Sequence, residues 1–361
     1  MKKTINIPLG SQHIALLEPV RFGFECENEK IIKVEADVGY VHRGVELACT
    51  TKFKFKQVGY VVARVCGLCA IVHSTCYTLA CEELLGLEAP RRASYLRIIA
   101  NELDRIHSHL LCLAHTAENA GFEALFMRTM KDRELIMEAQ ETLTGNRVQF
   151  DYVCIGGVNK DVTTDIERVV KEKLTLLKQK VAEIEELFLN NWSLSLKYKG
   201  VGTITTESAL RCSVLGPLAR ASGVDFDVRN ESDYLPYKEL GFKSVIESSG
   251  DVHARNMVRL REVFESIRLI EAALDGLPEG EIASKVKGAP DGESYMRVEA
   301  PRGECFYYLK GSKGQYLDRV RIKTPTFGSV PAMVEALTGQ NYADAPAIIA
   351  SFDPCLSCTA R

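Results

Sequence analysis

Two short motifs at opposite ends of the chain constrain its fold more than any other feature. Arg64-Val65-Cys66-Gly67-Leu68-Cys69-Ala70-Ile71-Val72-His73 lies in the first fifth, and Asp353-Pro354-Cys355-Leu356-Ser357-Cys358 almost at the end, with 285 residues between Cys69 and Cys355. Within each pair, the two intervening residues let a short loop turn both sulfurs toward one metal. Gly67 gives the first loop a conformational freedom that a residue with a Cβ lacks. If all four sulfurs meet, the fold itself closes the site and brings the two ends of the chain side by side. Four thiolates select soft or borderline metals, so zinc, an iron–sulfur cluster, or nickel with iron all remain open. Zinc ribbons place their pairs about 15–20 residues apart, and iron–sulfur runs are also compact. A long gap filled with helical sequence suits neither well.

Along the chain, residues 4–40 read as strands. Val20–Phe24 alternates, Glu27-Asn28-Glu29-Lys30 turns, and Ile31–Ala36 returns as the second arm of a hairpin. From about residue 50 to 145 the pattern is helical. Pro90 stands at a helix start, and Leu96, Ile99, Leu103, Ile106 and Leu110 recur at threes and fours. A further long helix is predicted over 162–190, with a solvated Lys/Glu face, and another over 252–276. Residues 198–250 are rich in Gly and Ser and less regular. After the break at Gly288-Ala289-Pro290-Asp291-Gly292, Tyr295–Leu309 and Tyr316–Ile322 read as two strands around a turn at Lys310–Gly314. Two short helices then lead to the second cysteine pair. No internal repeat or low-complexity linker divides the chain. The expectation is one α+β domain over 1–361, predominantly α, with a long-helix core. Its parts are a β-rich 1–45, a mainly helical 46–285, a β hairpin at 290–325 and a ligand-bearing segment at 326–361.

Composition narrows the class. With 46% hydrophobic and 26% charged residues the chain has ample material for a core. A net charge of −3 gives no signal for nucleic acid. No apolar run approaches a membrane span, and Met1-Lys2-Lys3 leads into no signal-peptide core. Twelve cysteines suggest a reducing compartment and metal chemistry, not a disulfide framework. The reading is cytoplasmic, with any membrane attachment made through a partner.

From about Gly10 to Arg361 the chain resembles the large, catalytic subunit of a [NiFe] hydrogenase. More narrowly it resembles the energy-converting, Ech-type class, which is related to the quinone-site subunit of respiratory complex I. The resemblance is carried by Arg-x-Cys-Gly-x-Cys-x-x-x-His together with Asp-Pro-Cys-x-x-Cys-x-x-Arg. Among such hydrogenases, the short length without a fused N-terminal domain favours the compact Ech type. The resemblance implies that Cys66 and Cys355 are terminal nickel ligands, and that Cys69 and Cys358 bridge nickel to an iron carrying carbonyl and cyanide. It implies a proton-transfer role for Glu18, in Leu17-Glu18-Pro19, and a place over the metals for Arg302, in Ala300-Pro301-Arg302-Gly303. A fixed guanidinium there stabilises an electron-rich centre. His73, four residues after Cys69, returns to the same face if a helix begins near Cys69, within hydrogen-bonding reach of a bridging sulfur.

Glu46, 20 residues before Cys66, stands where the family binds a second metal, magnesium or iron, near the end of the chain; Arg361 replaces the usual histidine there. His13, in Gly10-Ser11-Gln12-His13, resembles a Gly-Pro-x-His segment shared with complex I, with Ser11 in place of Pro. Ser108, between His107 and His109, replaces an Asp of the more familiar hydrogenases. None of the other eight cysteines forms a further C-x-x-C, so no iron–sulfur cluster is expected in this chain.

The implied function is reversible reduction of protons to H2 with electrons from reduced ferredoxin, coupled to ion movement by separate subunits. The implied partners are a small subunit with a [4Fe-4S] cluster, ferredoxin or a ferredoxin-like subunit, and integral membrane subunits, on the inner face of the cell membrane. Two other readings stand beside it: a complex-I-like connecting subunit without metal, and a zinc-stapled structural protein.

Overall fold

The computed structural model of the chain describes residues 4–361; the Met1-Lys2-Lys3 start lies outside them. Three strands open the fold, β1 (Thr4–Leu9), β2 (Arg21–Glu27) and β3 (Lys30–Asp37). Helices α1 (Val45–Thr51), α2 (Phe55–Ala63), α3 (Ala70–Leu85), α4 (Arg91–Asn119) and α5 (Glu123–Thr144) follow. A two-residue pair, β4 (Val153–Cys154) and β5 (Gly157–Val158), precedes α6 (Thr164–Asn190). Four short helices come next: α7 (Trp192–Tyr198), α8 (Thr206–Arg211), α9 (Pro217–Ala221) and α10 (Val228–Glu231). Then come α11 (Val252–Asp275), strands β6 (Asp291–Ala300), β7 (Gly303–Ser312) and β8 (Arg319–Lys323), and helices α12 (Pro325–Leu337), α13 (Ala345–Ser351) and α14 (Leu356–Thr359). This is an α+β fold, predominantly α.

The N-terminal hairpin forms as its alternation requires. Phe22, Phe24 and Cys26 point into the core while their neighbours face out. Asn28 and Glu29 both take positive φ, the two-residue turn whose twist matches the strands. Residues 4–40 are not strand throughout, however. Gly10–Val20 is a loop between β1 and β2, because Pro19 cannot donate to a ladder.

The long helices pack around α4, which touches α3, α5, α11 and α13. Leu96, Ile99, Leu103, Ile106 and Leu110 are all fully buried. The polar side of α4 is buried as well: Arg97, Glu102, Asp104, Arg105, His107 and His109 reach almost no solvent. In α6 only one stripe is buried, Ile166, Val170, Leu174, Leu177, Val181, Ile184 and Phe188, and Thr163 caps it by accepting the Ile166 N–H.

The C-terminal β region departs from expectation in one instructive way. Tyr295–Leu309 is not one strand; it folds back at Pro301-Arg302, with Ala300 opposite Gly303. Pro301 has no N–H for a ladder, and Gly303 takes φ 124°, which only glycine tolerates freely. The result is a three-stranded antiparallel sheet, β6-β7-β8, in place of a hairpin. The expected turn at Lys310–Gly314 also shifts, since β7 runs to Ser312. Helix α3 covers this sheet. The tip of the β6–β7 hairpin abuts Gly216, where an added Cβ would fall 2.3 Å from Gly303 Cα. Gly216 itself has φ 71°.

Gly216→Ala therefore combines left-handed strain with a backbone clash, and we expect it to destabilise the chain by roughly 2–4 kcal/mol. Gly328→Ala, in α12 with nothing within 4 Å of the new Cβ, is expected to be neutral or to stabilise by up to about 1 kcal/mol. Denaturant midpoints of the two variants against the parent chain check both.

Candidate metal centre

The two cysteine loops are built alike. Cys66 follows α2, and its Sγ accepts the Leu68 N–H at 3.2 Å; Cys69 is the N-cap of α3. Cys355 is the N-cap of α14, and its Sγ accepts the Cys358 N–H at 3.4 Å. Each first cysteine thus curls the chain around its own sulfur; the first loop ends at the start of α3, whereas Cys358 lies within α14 itself. The fold then sets the loops face to face, first cysteine against first and second against second. Cys355 Sγ lies 3.3 Å from Cys66 Sγ, and Cys69 Sγ lies 3.6 Å from Cys358 Sγ. The ligand atoms of Cys66, Cys69 and Cys358 all fall within 4.8 Å of one another. All four cysteines are buried.

Arg43 spans both loops, a role that sequence reasoning missed. Its guanidinium donates to the carbonyls of Val65 and Ser357, each at 2.9 Å, and to that of Arg64 at 3.1 Å. Thr326 Oγ1 accepts the Cys355 N–H at 3.2 Å, and Thr324 Oγ1 donates to the Cys358 carbonyl at 3.1 Å. The cysteine backbone is therefore held by hydrogen bonds independent of anything bound to the sulfurs.

The electrostatics of the four sulfurs suit a cation. Hydrogen bonds from Cys355, Cys358 and Cys69, helped by the charge of Arg302, hold the Cys66 thiol well below its usual range. Cys358 is pushed up, because its bonds to Cys355, Cys66 and Cys69 keep it a donor, and burial adds to this. At Cys69 and Cys355 the bond to Cys358 favours ionisation. Donation to Cys66, burial and the Cys66 charge outweigh it, and both are raised. Four thiolates packed this closely repel one another. Only a bound cation lets four coexist, so the donor set fits a soft metal centre.

Arg302 stands at the hairpin tip, almost fully buried. Its Nε donates to the Asp353 carbonyl at 2.9 Å, one Nη to Asp353 Oδ1 at 2.7 Å, and the other to Ser108 Oγ at 3.1 Å. Asp353 is a second missed residue. It pairs with Arg302 and takes φ 53° just before Pro354-Cys355. Its position in the motif was the available signal.

His73, in the first turn of α3, meets the sulfur of the opposite pair: Nε2 is 3.3 Å from Cys358 Sγ, and Nδ1 is 2.7 Å from Tyr307 Oη. Tyr307 was also missed, although the inward alternation of Cys305, Tyr307 and Leu309 on β7 marks it. Cys305 lies 3.9 Å from His73 Nδ1 and lines the small cavity beside Cys69, Arg302 and Cys358.

Glu18 reaches the second loop from the β1–β2 connection. One oxygen accepts the Leu356 N–H and the Ser357 N–H, the latter at 3.0 Å, and the other accepts from the Ser357 hydroxyl. It thus sits at the N-terminus of α14, beside Cys355, above an apolar cavity lined by Leu16, Cys112, His115, Asn119 and Pro354.

The remaining candidates are not brought to the sulfurs by any hydrogen bond. His13 lies in the exposed loop, and its Nδ1 accepts only the nearby Ala15 N–H. His109 Nε2 pairs with Glu262 at 2.8 Å in the core, and burial lowers its pKa to about 4. His107 accepts from Arg133 at Nδ1 (2.8 Å) and faces Asp104 at 3.3 Å. Burial, and then the Cys66 charge, push the Asp104 carboxyl well above its usual range. Glu46 is occupied by two arginines and a backbone amide.

Residues 43–117 match the profile of the nickel-dependent hydrogenases, and residues 119–288 and 283–361 match that of the respiratory-chain NADH dehydrogenase 49 kDa subunit. The alpha subunit of the membrane-bound hydrogenase of Pyrococcus furiosus is 36% identical over 100% of this chain and 89% of its own length. One subunit of the F(420)H(2) dehydrogenase of Methanosarcina mazei is 35% identical over 97% of this chain and 96% of its own. A chain in the structure of a membrane-bound sulfane sulfur reductase, an archaeal respiratory membrane complex, superposes with a TM-score of 0.94 at 30% identity. That likeness covers 99% of this chain and 98% of the other. The Pyrococcus hydrogenase and the sulfane sulfur reductase are membrane-bound complexes by name, while no helix among the described residues is long and apolar enough to cross a membrane. The chain belongs to the family that unites the large subunits of nickel-dependent hydrogenases with the 49 kDa subunit of respiratory-chain NADH dehydrogenase, and within it stands among the membrane-bound, energy-converting hydrogenase alpha subunits and their complex I relatives.

Proposed function

We propose that this chain is the catalytic subunit of a membrane-associated, energy-converting [NiFe] hydrogenase that interconverts protons and H2 with electrons from reduced ferredoxin. The observation that carries the reading is the convergence of four buried cysteine sulfurs from both ends of the chain. Nothing in quinone binding calls for four convergent thiols, which sets aside a metal-free connecting subunit. A structural zinc staple does not call for a buried arginine, an imidazole and a carboxylate around it.

Cys66 and Cys355 would hold nickel as terminal ligands, and Cys69 and Cys358 would bridge it to iron. A nickel–iron centre, when bound, supplies the two-electron site at which the H–H bond is made or broken heterolytically. The protein supplies the rest. Arg302 places a permanent positive charge next to the thiolates. Its own orientation is fixed by Asp353 and Ser108. A Tyr307 hydroxyl donating to His73 Nδ1 leaves Nε2–H aimed at the Cys358 sulfur, where it withdraws electron density from the thiolate. Glu18 stands beside Cys355, where a proton leaving the terminal sulfur needs an acceptor.

Electrons must come from elsewhere. The remaining eight cysteines form no second pair of loops, and burial pushes the thiols of Cys49, Cys81 and Cys112 up to about 12, as befits small apolar residues. A small subunit with a [4Fe-4S] cluster would deliver electrons from ferredoxin. Integral membrane subunits would hold the chain at the inner membrane face and couple the reaction to ion movement.

Three outcomes are expected. Cys66→Ser or Cys355→Ser loses nickel and hydrogen evolution, because a hydroxyl is a poor replacement for a soft thiolate, whereas Cys112→Ser keeps both; metal analysis alongside an activity assay decides. Infrared bands of carbonyl and cyanide should accompany the nickel, and their absence from metal-loaded, active protein would sink the reading. The chain purified alone, with its metals in place, should not evolve hydrogen from reduced ferredoxin; robust activity without partners would show the electron-transfer argument to be wrong.

Glu18→Gln tests the proton route separately. The amide keeps an oxygen to accept the Leu356 and Ser357 N–H groups, and the Ser357 hydroxyl can turn to accept from its NH2, so fold and metals should survive. An amide cannot alternate between protonated and ionised forms. Hydrogen evolution and H/D exchange should fall at least about a hundredfold, with nickel content and infrared bands retained. Near-normal exchange would remove Glu18 from the route.

A further inference from the structure

Glu46, in the first turn of α1, is where a second metal would be sought, but its surroundings are donors. Glu46 Oε1 accepts the Ile322 N–H at 2.9 Å and the Arg361 Nε–H at 3.3 Å, while Oε2 accepts from Arg321 at 3.0 Å. Neither a guanidinium nor a backbone N–H has a lone pair for a metal. The nearby acceptors are also taken: one Arg361 Nη donates to the carbonyls of Cys358 at 3.3 Å and Thr359 at 3.1 Å. Arg361 is only 15% exposed, Glu46 21%, and Arg321 57%. Arg361 is the inner, enclosed cation and Arg321 the outer, solvated one.

We propose that the guanidinium of Arg361 is itself the cation of this corner, bridging the Glu46 carboxylate to the Cys358 and Thr359 carbonyls, and that the chain requires no second metal there. A divalent ion would join the same two sets of oxygens, one from α1 and one from the end of α14. The planar fork does so with Nε on the carboxylate and Nη on the carbonyls, a geometry that a lysine ammonium cannot reproduce. The last carbonyls of α14 have no partner within the helix, so a cation at that end satisfies them and opposes the helix dipole. Because α14 carries Cys358, the clamp sets where that sulfur stands. His42 supports the same stretch from the neighbouring loop, through Nδ1 at 2.9 Å from the Ala360 carbonyl. Arg361 and Glu46 are positioning residues here, and nothing in this inference depends on which metal the four cysteines hold.

Hydrogen exchange of the purified full-length chain, read by mass spectrometry at the amides of Thr359 and Ala360, which donate to the Cys355 and Leu356 carbonyls and close the turn of α14, tests the clamp. In the unaltered protein, exchange should be the same after chelation and after addition of millimolar magnesium or ferrous iron. Arg361→Ala should speed exchange at these amides by about tenfold, the size expected for losing charge-assisted hydrogen bonds, with no recovery on adding either ion. Arg361→Lys should recover part of the protection. Should Arg361→Ala fail to fold, Glu46→Gln gives the same readout, a smaller acceleration insensitive to metal. If chelation alone speeds exchange in the unaltered protein and magnesium or iron reverses it, a metal holds this corner and the proposal is wrong. Unchanged exchange in Arg361→Ala would equally overturn it.

Discussion

The structure depends on closing a loop of nearly the whole chain, so that Cys66 and Cys69 meet Cys355 and Cys358. Loop-closure entropy for such a separation opposes the contact by roughly 5 kcal/mol beyond a constant. Sulfur–sulfur contacts of 3.3 and 3.6 Å supply little against that, and the sulfurs repel once ionised. The closure is made by the helical core around α4, with α3 and α13 packed on it, so helix packing itself brings the two loops together. Arg43 completes it by donating to carbonyls of both loops.

A second consequence is the concentration of charge in the interior. Arg302 with Asp353, Arg105 and Arg229 with Glu102, and Arg220 with Asp227, Glu262 and Glu299 are all buried ion pairs. Such pairs add little net stability relative to well-packed apolar residues, but removing one partner costs several kcal/mol. Their value here is geometric. Arg105 donates to the Glu299 carbonyl at 2.7 Å, three residues before Arg302, so the charge network reaches the hairpin tip that presents the guanidinium. Preorganised groups of this kind are what a reacting centre needs around it.

Much of this was legible in the sequence. The cysteine spacing pointed to a site that the fold would close if all four sulfurs met, and the recurrence at threes and fours from Leu96 to Leu110 and the stripe within 162–190 marked two of the long helices. Alternation, with turn residues, marked the N-terminal hairpin. These signals are local, because they come from the backbone geometry of helix and strand and from the reach of a four-residue loop. The proposed metal and the proposed roles of Glu18 and Arg302 rest on family resemblance, not on periodicity or spacing.

Other features only the tertiary structure could decide. The polar face of α4 is buried, since its partners Glu262, Arg229 and the Glu299 carbonyl come from distant parts of the chain. Tyr295–Leu309 carries a strand pattern on both sides of Pro301, and the reversal there shows itself only once Gly303 meets Gly216. His73 faces Cys358 and not merely its own loop, and Glu46 meets two arginines, one of them 315 residues away. The sequence by itself determined most of the regular elements and the cysteine pairs able to share a metal, because those follow from short-range geometry and ligand chemistry. Which charged group faces which was settled by packing, because electrostatic partners are chosen by proximity in space and leave no periodic mark along the chain.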